Sequence, residues 1–172
     1  MARASSSSAK QGAGTVLAQS GASASHTGDT NEAILATIPI PAHLIGKNGE
    51  VVVECWFARN ATGSGSVTPR VRFGPSGSGI TGSNLSGSGS FVLTTANLSG
   101  RGLAQWFNTN SESAQTWFNT TTYTVYQAAS VAYSTAAVDT TVATEINITA
   151  QLVNPGDTAT LVFYRVTVYP KN

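Results

Sequence analysis

The sequence predicts an all-β protein, an antiparallel sandwich or barrel, and three observations carry the prediction. Short runs rich in β-branched and aromatic residues recur at regular spacing, divided by Gly, Ser, Asn and Pro. In several of them apolar and polar residues alternate with a period of two, the pattern of a half-buried strand. No amphipathic helix of useful length interrupts the series. Counting the runs predicts about eight to ten strands.

Residues 2–14 are rich in Ser, Ala and Gly and too poor in apolar surface to fold alone. They read either as a disordered tail or as an arm that orders when it docks on a neighbouring protein. Residues 15–20 (TVLAQS) suit a short first strand, and the division taken is an N-terminal docking arm over 1–20 ahead of a sandwich domain over 21–172. A polar connection, 21–31, leads to a strand at Glu32–Ile40. Pro39 and Pro41 place that strand at a sheet edge, where a missing backbone donor does least harm.

Residues 41–45 suit one helical turn, and Gly46, Lys47, Asn48 and Gly49 a tight turn. Glu50–Asn60 (EVVVECWFARN) is the clearest strand of the first half. Val51, Val53, Cys55 and Phe57 share one face; Val52, Glu54, Trp56 and Ala58 share the other. Residues 66–73 form the next strand, with Arg70 and Arg72 on its polar side, and 74–90 an exposed Gly/Ser loop anchored by Ile80 and Leu85. Short strands follow at 91–98, 102–107, 115–118 and 123–128, then a loop over 131–144 that ends in a strand.

The chain closes on a long hairpin, residues 145–169. Ile146, Ile148, Ala150 and Leu152 point one way, and Asn147, Thr149 and Gln151 the other. Asn154, Pro155, Gly156 and Asp157 make the turn, Pro155 presetting its φ and Gly156 free to take a positive one. The second arm is apolar on both sides, with Leu161 and Phe163 on one and Val162, Tyr164, Val166 and Val168 on the other. Such a strand requires a second sheet over one face and a loop or another subunit over the other. Val162, Tyr164, Val166 and Val168 are thereby the candidate subunit interface.

Composition narrows the function. Charged residues make up 10% of the chain, far below the roughly 25% of an ordinary soluble domain, so the surface must be built from Ser, Thr, Asn, Gly and Gln. Nine basic and eight acidic residues give a net charge of +1 with no basic cluster. Nucleic-acid binding, which draws on a basic face, is not expected. The apolar runs are strand-length, and no membrane insertion or secretory signal is read from them. Cys55 is the single cysteine, which fits a reducing compartment and leaves no intrachain disulfide.

No reaction chemistry stands out. His26 and His43 sit in a polar loop and a turn without a ligand motif, so no metal and no cofactor are expected. No serine lies in a G-x-S-x-G elbow, no local motif joins two carboxylates for glycoside cleavage, and the Gly-rich run 74–89 lacks the lysine and helix of a phosphate loop. For these carboxylates, Glu54, Glu50 and Glu145, a structural pairing with Arg70, Arg72 or Arg165 is expected instead. The remaining candidates are aromatic: Trp106, Phe107, Trp117, Phe118, Tyr123 and Tyr126 stand among Asn, Thr, Ser and Gln. Trp106, Trp117 and Tyr123 are the candidate sugar-stacking residues. The alternative, that these rings fill the core or a subunit interface, is the commoner use of large aromatics.

Residues 30–49 (TNEAILATIPIPAHLIGKNG), the following EVVVECWF, the run PRVRFG at 69–74 and INITAQLVNPGDTATLVFYRVTVY at the end together resemble the β-sandwich domain of bacteriophage tail-fibre, tail-spike and small appendage or decoration proteins. The resemblance spans about residues 15–169, with its motifs at the two ends. It implies a jelly-roll-like fold, a homotrimer, and a place on the virion surface after assembly in the host bacterial cytoplasm. It also implies other virion proteins, capsid or tail, as partners. Within that frame a non-enzymatic capsid decoration or head-appendage protein is expected, with a tail-fibre tip that binds a host-surface glycan as the alternative. A glycan-cleaving spike is the enzymatic rival.

Overall fold

A computed structural model describes residues 13–60, 65–85, 92–94, 98–118 and 133–172. Eleven strands are assigned there: β1 (Thr15–Ser20), β2 (Ala24–Thr27), β3 (Glu32–Ile40), β4 (Glu50–Asn60), β5 (Val67–Pro75), β6 (Ser83–Asn84), β7 (Ser99–Asn108), β8 (Gln115–Phe118), β9 (Tyr133–Ala136), β10 (Thr144–Leu152) and β11 (Thr158–Tyr169). The runs with period two or with β-branched residues became strands because a pleated, half-buried surface suits them. The strand expected at 123–128 lies outside the described residues.

All pairings are antiparallel and form two sheets. The seven-stranded sheet runs β1, β11, β4, β7, β8, β9, with β2 also pairing β11, and the four-stranded sheet runs β3, β10, β5, β6. The order 1, 11, 4, 7 facing 3, 10, 5, 6 is that of a jelly roll, two Greek keys wound together. β8 and β9 extend the larger sheet beyond that eight-strand frame. The two sheets enclose one core, in which Val51, Val53, Phe57, Trp106, Leu161 and Val166 join Ile38, Val71, Phe73, Ile146 and Ile148.

Several expectations are refined. β3 is an edge strand, as its prolines required. Residues 15–20 pair with β11 along Thr15 to Ser20, so they belong to the sandwich and not to an arm. Residues 24–27, read as loop, add β2 along the same flank of β11. The 41–45 stretch is a turn closed by Leu44 N–H on the Pro41 carbonyl, and Gly46 follows at φ +74 against the Lys171 carbonyl, where a Cβ would not fit. In the 74–90 run Leu85 is buried as an anchor should be, whereas Ile80 is exposed. The hairpin turn forms through Asp157 N–H on the Asn154 carbonyl and Gly156 N–H on Asn154 Oδ1. Gly156 takes no positive φ there, since a turn of type I needs none.

Candidate interaction surface

β11 explains how a strand can look apolar on both sides. Leu161 pairs with Phe57 and Phe163 with Trp56, so Val162 has no partner across β4. This is a β-bulge, one extra residue that shifts the pleat and reverses the facing of everything beyond it. Ala159 and Leu161 before the bulge and Tyr164, Val166 and Val168 after it all turn to the same core. The predicted subunit interface is corrected accordingly. Val166 and Val168 are 0% and 1% exposed, Tyr164 packs on the core, and of the four only Val162, 43% exposed, faces outward.

The bulge also brings Phe163 to the outer face of the seven-stranded sheet. Three strands build that face in cross-strand rows. Phe163, Trp56 and Arg101 form one row, Arg165, Glu54 and Leu103 the next, and Thr167, Val52 and Gln105 the third. Phe163 meets Trp56 edge to face, ring centres 5.0 Å apart at 72°, and the Arg101 guanidinium lies 5.0 Å over the indole centre. Both contacts are geometries that aromatic quadrupoles favour.

Glu54 ties the rows together. Its carboxylate accepts from Arg165 Nε at 2.7 Å, and also from Nη2 of Arg165 and Nη2 of Arg101. Burial works to raise the pKa of Glu54, but the hydrogen bonds and charges of Arg165 and Arg101 outweigh it and hold the group below its ordinary value. The expected Arg165 pairing is present, with Arg101 as a second partner; Arg70 and Arg72 serve Glu32 instead. Both guanidiniums remain about half exposed. A half-buried aromatic pair flanked by fixed arginines is the composition found at the centre of protein interfaces.

The candidate sugar-stacking residues lie elsewhere. Trp106 and Trp117 are cross-strand partners on the inner face, 0% and 6% exposed, and Trp106 packs against Phe73 with ring centres 5.1 Å apart. Neither indole offers a face to a sugar, because β7 and β8 turn these residues into the core; Tyr123 lies outside the described residues. Sequence reading missed Trp56 and Phe163, although Trp56 had been placed with Glu54 on one face of β4. The aromatic-rich segment drew attention by its polar neighbours, which turn out to alternate with core residues.

The other reactive groups are occupied. Cys55 is buried, donates to the Gly102 carbonyl, and burial pushes its thiol up to about 12. His26 Nε2 meets the Asn31 carbonyl at 3.0 Å, and His43 Nδ1 meets Glu112 at 3.2 Å. Among the described residues no three His, Cys, Asp or Glu gather in a metal-binding group, and no helix is long and apolar enough to cross a membrane.

No family model and no curated protein matches the chain. Among solved structures it is similar to a putative sugar binding protein from Bacteroides thetaiotaomicron, at 12% identity and TM-score 0.37, covering 78% of this chain and 66% of that one. Dimeric latent PorU from Porphyromonas gingivalis matches at 16% identity and TM-score 0.30, over 77% of this chain and 10% of that one. A chain of sacbrood virus of honeybee matches at 13% identity and TM-score 0.29, over 94% and 71%. Likenesses this distant carry no argument about function.

Proposed function

We propose that this chain is a non-enzymatic structural protein of a bacteriophage particle, a jelly roll that decorates the capsid or forms a small head appendage. On this reading it self-associates as a homotrimer through the outer face of the seven-stranded sheet. The observation that carries the self-association is the outward-facing row of half-buried Phe163 and Trp56 with Arg101, beside the Glu54 ion pairs. Large aromatics and arginines on a sheet face are stabilised further when a partner removes them from water. Placement on a phage particle rests on the sequence resemblance, as does the threefold count. Residues 1–14 are left to dock on the particle.

The non-enzymatic part has support in the carboxylates. Glu32, Glu54 and Glu145 are each bound to arginines or backbone amides and held below the ordinary glutamate pKa, the wrong direction for a general acid at neutral pH. Immunogold labelling of intact particles with an antibody against this chain tests the placement. Label over the head supports decoration; label confined to the tail tip overturns it in favour of an adhesin.

A further inference from the structure

The outer face of the four-stranded sheet is polar, yet much of it is buried. Glu145, Asn147 and Thr149 alternate with the core-facing Ile146, Ile148 and Ala150 along β10, and all six are buried. What covers the polar side at one end is the connection between β5 and β6, residues 76–82, which folds back across the sheet. Glu145 accepts from the N–H groups of Gly77 and Gly79, each at 2.9 Å. Asn147 Nδ2 donates to the backbone carbonyl of Gly79 at 3.2 Å and to the Glu145 carboxylate at 2.8 Å.

A second tie holds the far end. Arg72 Nη1 donates to the Gly82 carbonyl at 3.1 Å, and Arg72 is itself fixed by Glu32, Nη2 to Oε2 at 2.6 Å. Glu32 also receives Arg70 Nη1 at 3.1 Å and the Thr149 hydroxyl. The backbone is shaped for this closure. Gly77 and Gly79 take φ of +84 and +54, the left-handed region that side chains disfavour. A Cβ on Gly74 would lie 2.5 Å from Ser78 Oγ, and one on Gly82 would lie 3.0 Å from the Phe73 carbonyl oxygen.

We propose that residues 76–82 form an acid-released strap, held over the four-stranded sheet by the carboxylates of Glu145 and Glu32 and freed as a unit when they are protonated. The strap binds the ionised carboxylates, since backbone N–H groups and guanidiniums donate to an anion more strongly than to a neutral acid. Burial works to raise the pKa of Glu145, but the Gly77 and Gly79 amides and Asn147 outweigh it and leave the group below 4.5. Glu32 follows the same balance through Arg72, Thr149 and Arg70.

The sign follows by linkage. A carboxylate with a lower pKa in the closed form stabilises closure fully above about pH 4.5 and loses that contribution as pH falls through the closed-form value. The groups facing Glu145 are Gly74 and Arg72 from β5, Pro39 and Thr37 from β3, Asn147 from β10 and Ser78 from the strap. Those facing Glu32 are Arg70, Arg72, Thr149 and Gln151, with His26 of β2 and Asp29 of the following connection paired at 3.7 Å. Arg70 and Arg72 are the donors to Glu32, and the release turns on the two glutamates that accept.

Amide hydrogen exchange read residue by residue tests this. In the unaltered chain the Gly77 and Gly79 amides should lose protection as pH falls below about 4.5, after correction for intrinsic exchange, while Val53 and Ile148 keep theirs. Glu145→Gln should expose the two strap amides at pH 7, by roughly ten- to a hundredfold in rate, and reduce their acid dependence to the part that Glu32 carries through Arg72. Gly74→Ala, whose methyl would displace Ser78 of the strap while both carboxylates are kept, should leave them fast at every pH. Strap amides in Glu145→Gln as protected as in the unaltered chain would overturn the proposal, as would strap and core losing protection together.

Discussion

Arg59 and Asp157 form an ion pair, Nη2 to Oδ2 at 2.7 Å, with both side chains wholly buried. Arg59 is the penultimate residue of β4 and Asp157 stands at the turn before β11, so the pair locks two neighbouring strands where their register begins. A buried pair of this kind is weak evidence of net stabilisation, but removing one partner leaves an uncompensated charge. Asp157→Ala should therefore cost about 3–5 kcal/mol. Urea unfolding measures it, and a loss below about 1 kcal/mol would show that other groups can take over the guanidinium.

The bulge separates two substitutions on one strand. Val166→Asp places a carboxylate in the core and should prevent folding or cost several kcal/mol. Val162→Asp changes an outward residue and should leave a folded chain whose self-association is weakened. Circular dichroism and sedimentation distinguish them. A folded Val166→Asp monomer would restore the interface expected from sequence.

Trp56 and Phe163 are the anchors of the proposed subunit contact. Trp56→Ala with Phe163→Ala should shift the sedimentation profile from oligomer to monomer while the far-ultraviolet spectrum keeps its β character. An oligomer of unchanged affinity would remove this face from the contact.

Glu54 predicts a pH dependence. Its pKa is lowered in the folded chain by Arg165 and Arg101 against the opposing effect of burial, so its contribution is present above about pH 4.5 and fades as pH falls through the folded value. Because both arginines are half exposed, solvent screening limits each pair to about 1 kcal/mol or less. Glu54→Gln should thus cost about 1 kcal/mol at pH 7 and almost nothing at pH 3. Equal cost at both values, measured by urea unfolding, would mean that packing and not charge is lost.

Trp106 is a core residue whose indole N–H has no partner among the described residues. Trp106→Ala should cost about 3–5 kcal/mol, whereas Trp106→Phe, which keeps a ring against Phe73, should cost distinctly less. Comparable losses for the two, read from thermal melts, would argue that the N–H makes a bond of its own.

The sequence by itself determined the all-β class, the bounds of β3, β4 and β11, the edge position of β3 and the hairpin turn at Asn154 to Asp157. Each of these follows from chemistry within a few residues: side-chain period, proline's missing donor, and turn propensity. The tertiary structure decided the rest. The bulge at Val162 depends on register against β4, and it alone converts an apparent two-faced strand into one core face and one outward-facing, half-buried aromatic row. The same holds for Trp106 and Trp117, whose facing is set by β7 and β8 within the sheet, and for the Glu145 strap, which joins residues 66 and 68 positions apart. Pairing between distant strands fixes which side of the pleat a residue occupies, and a shift of one residue reverses it.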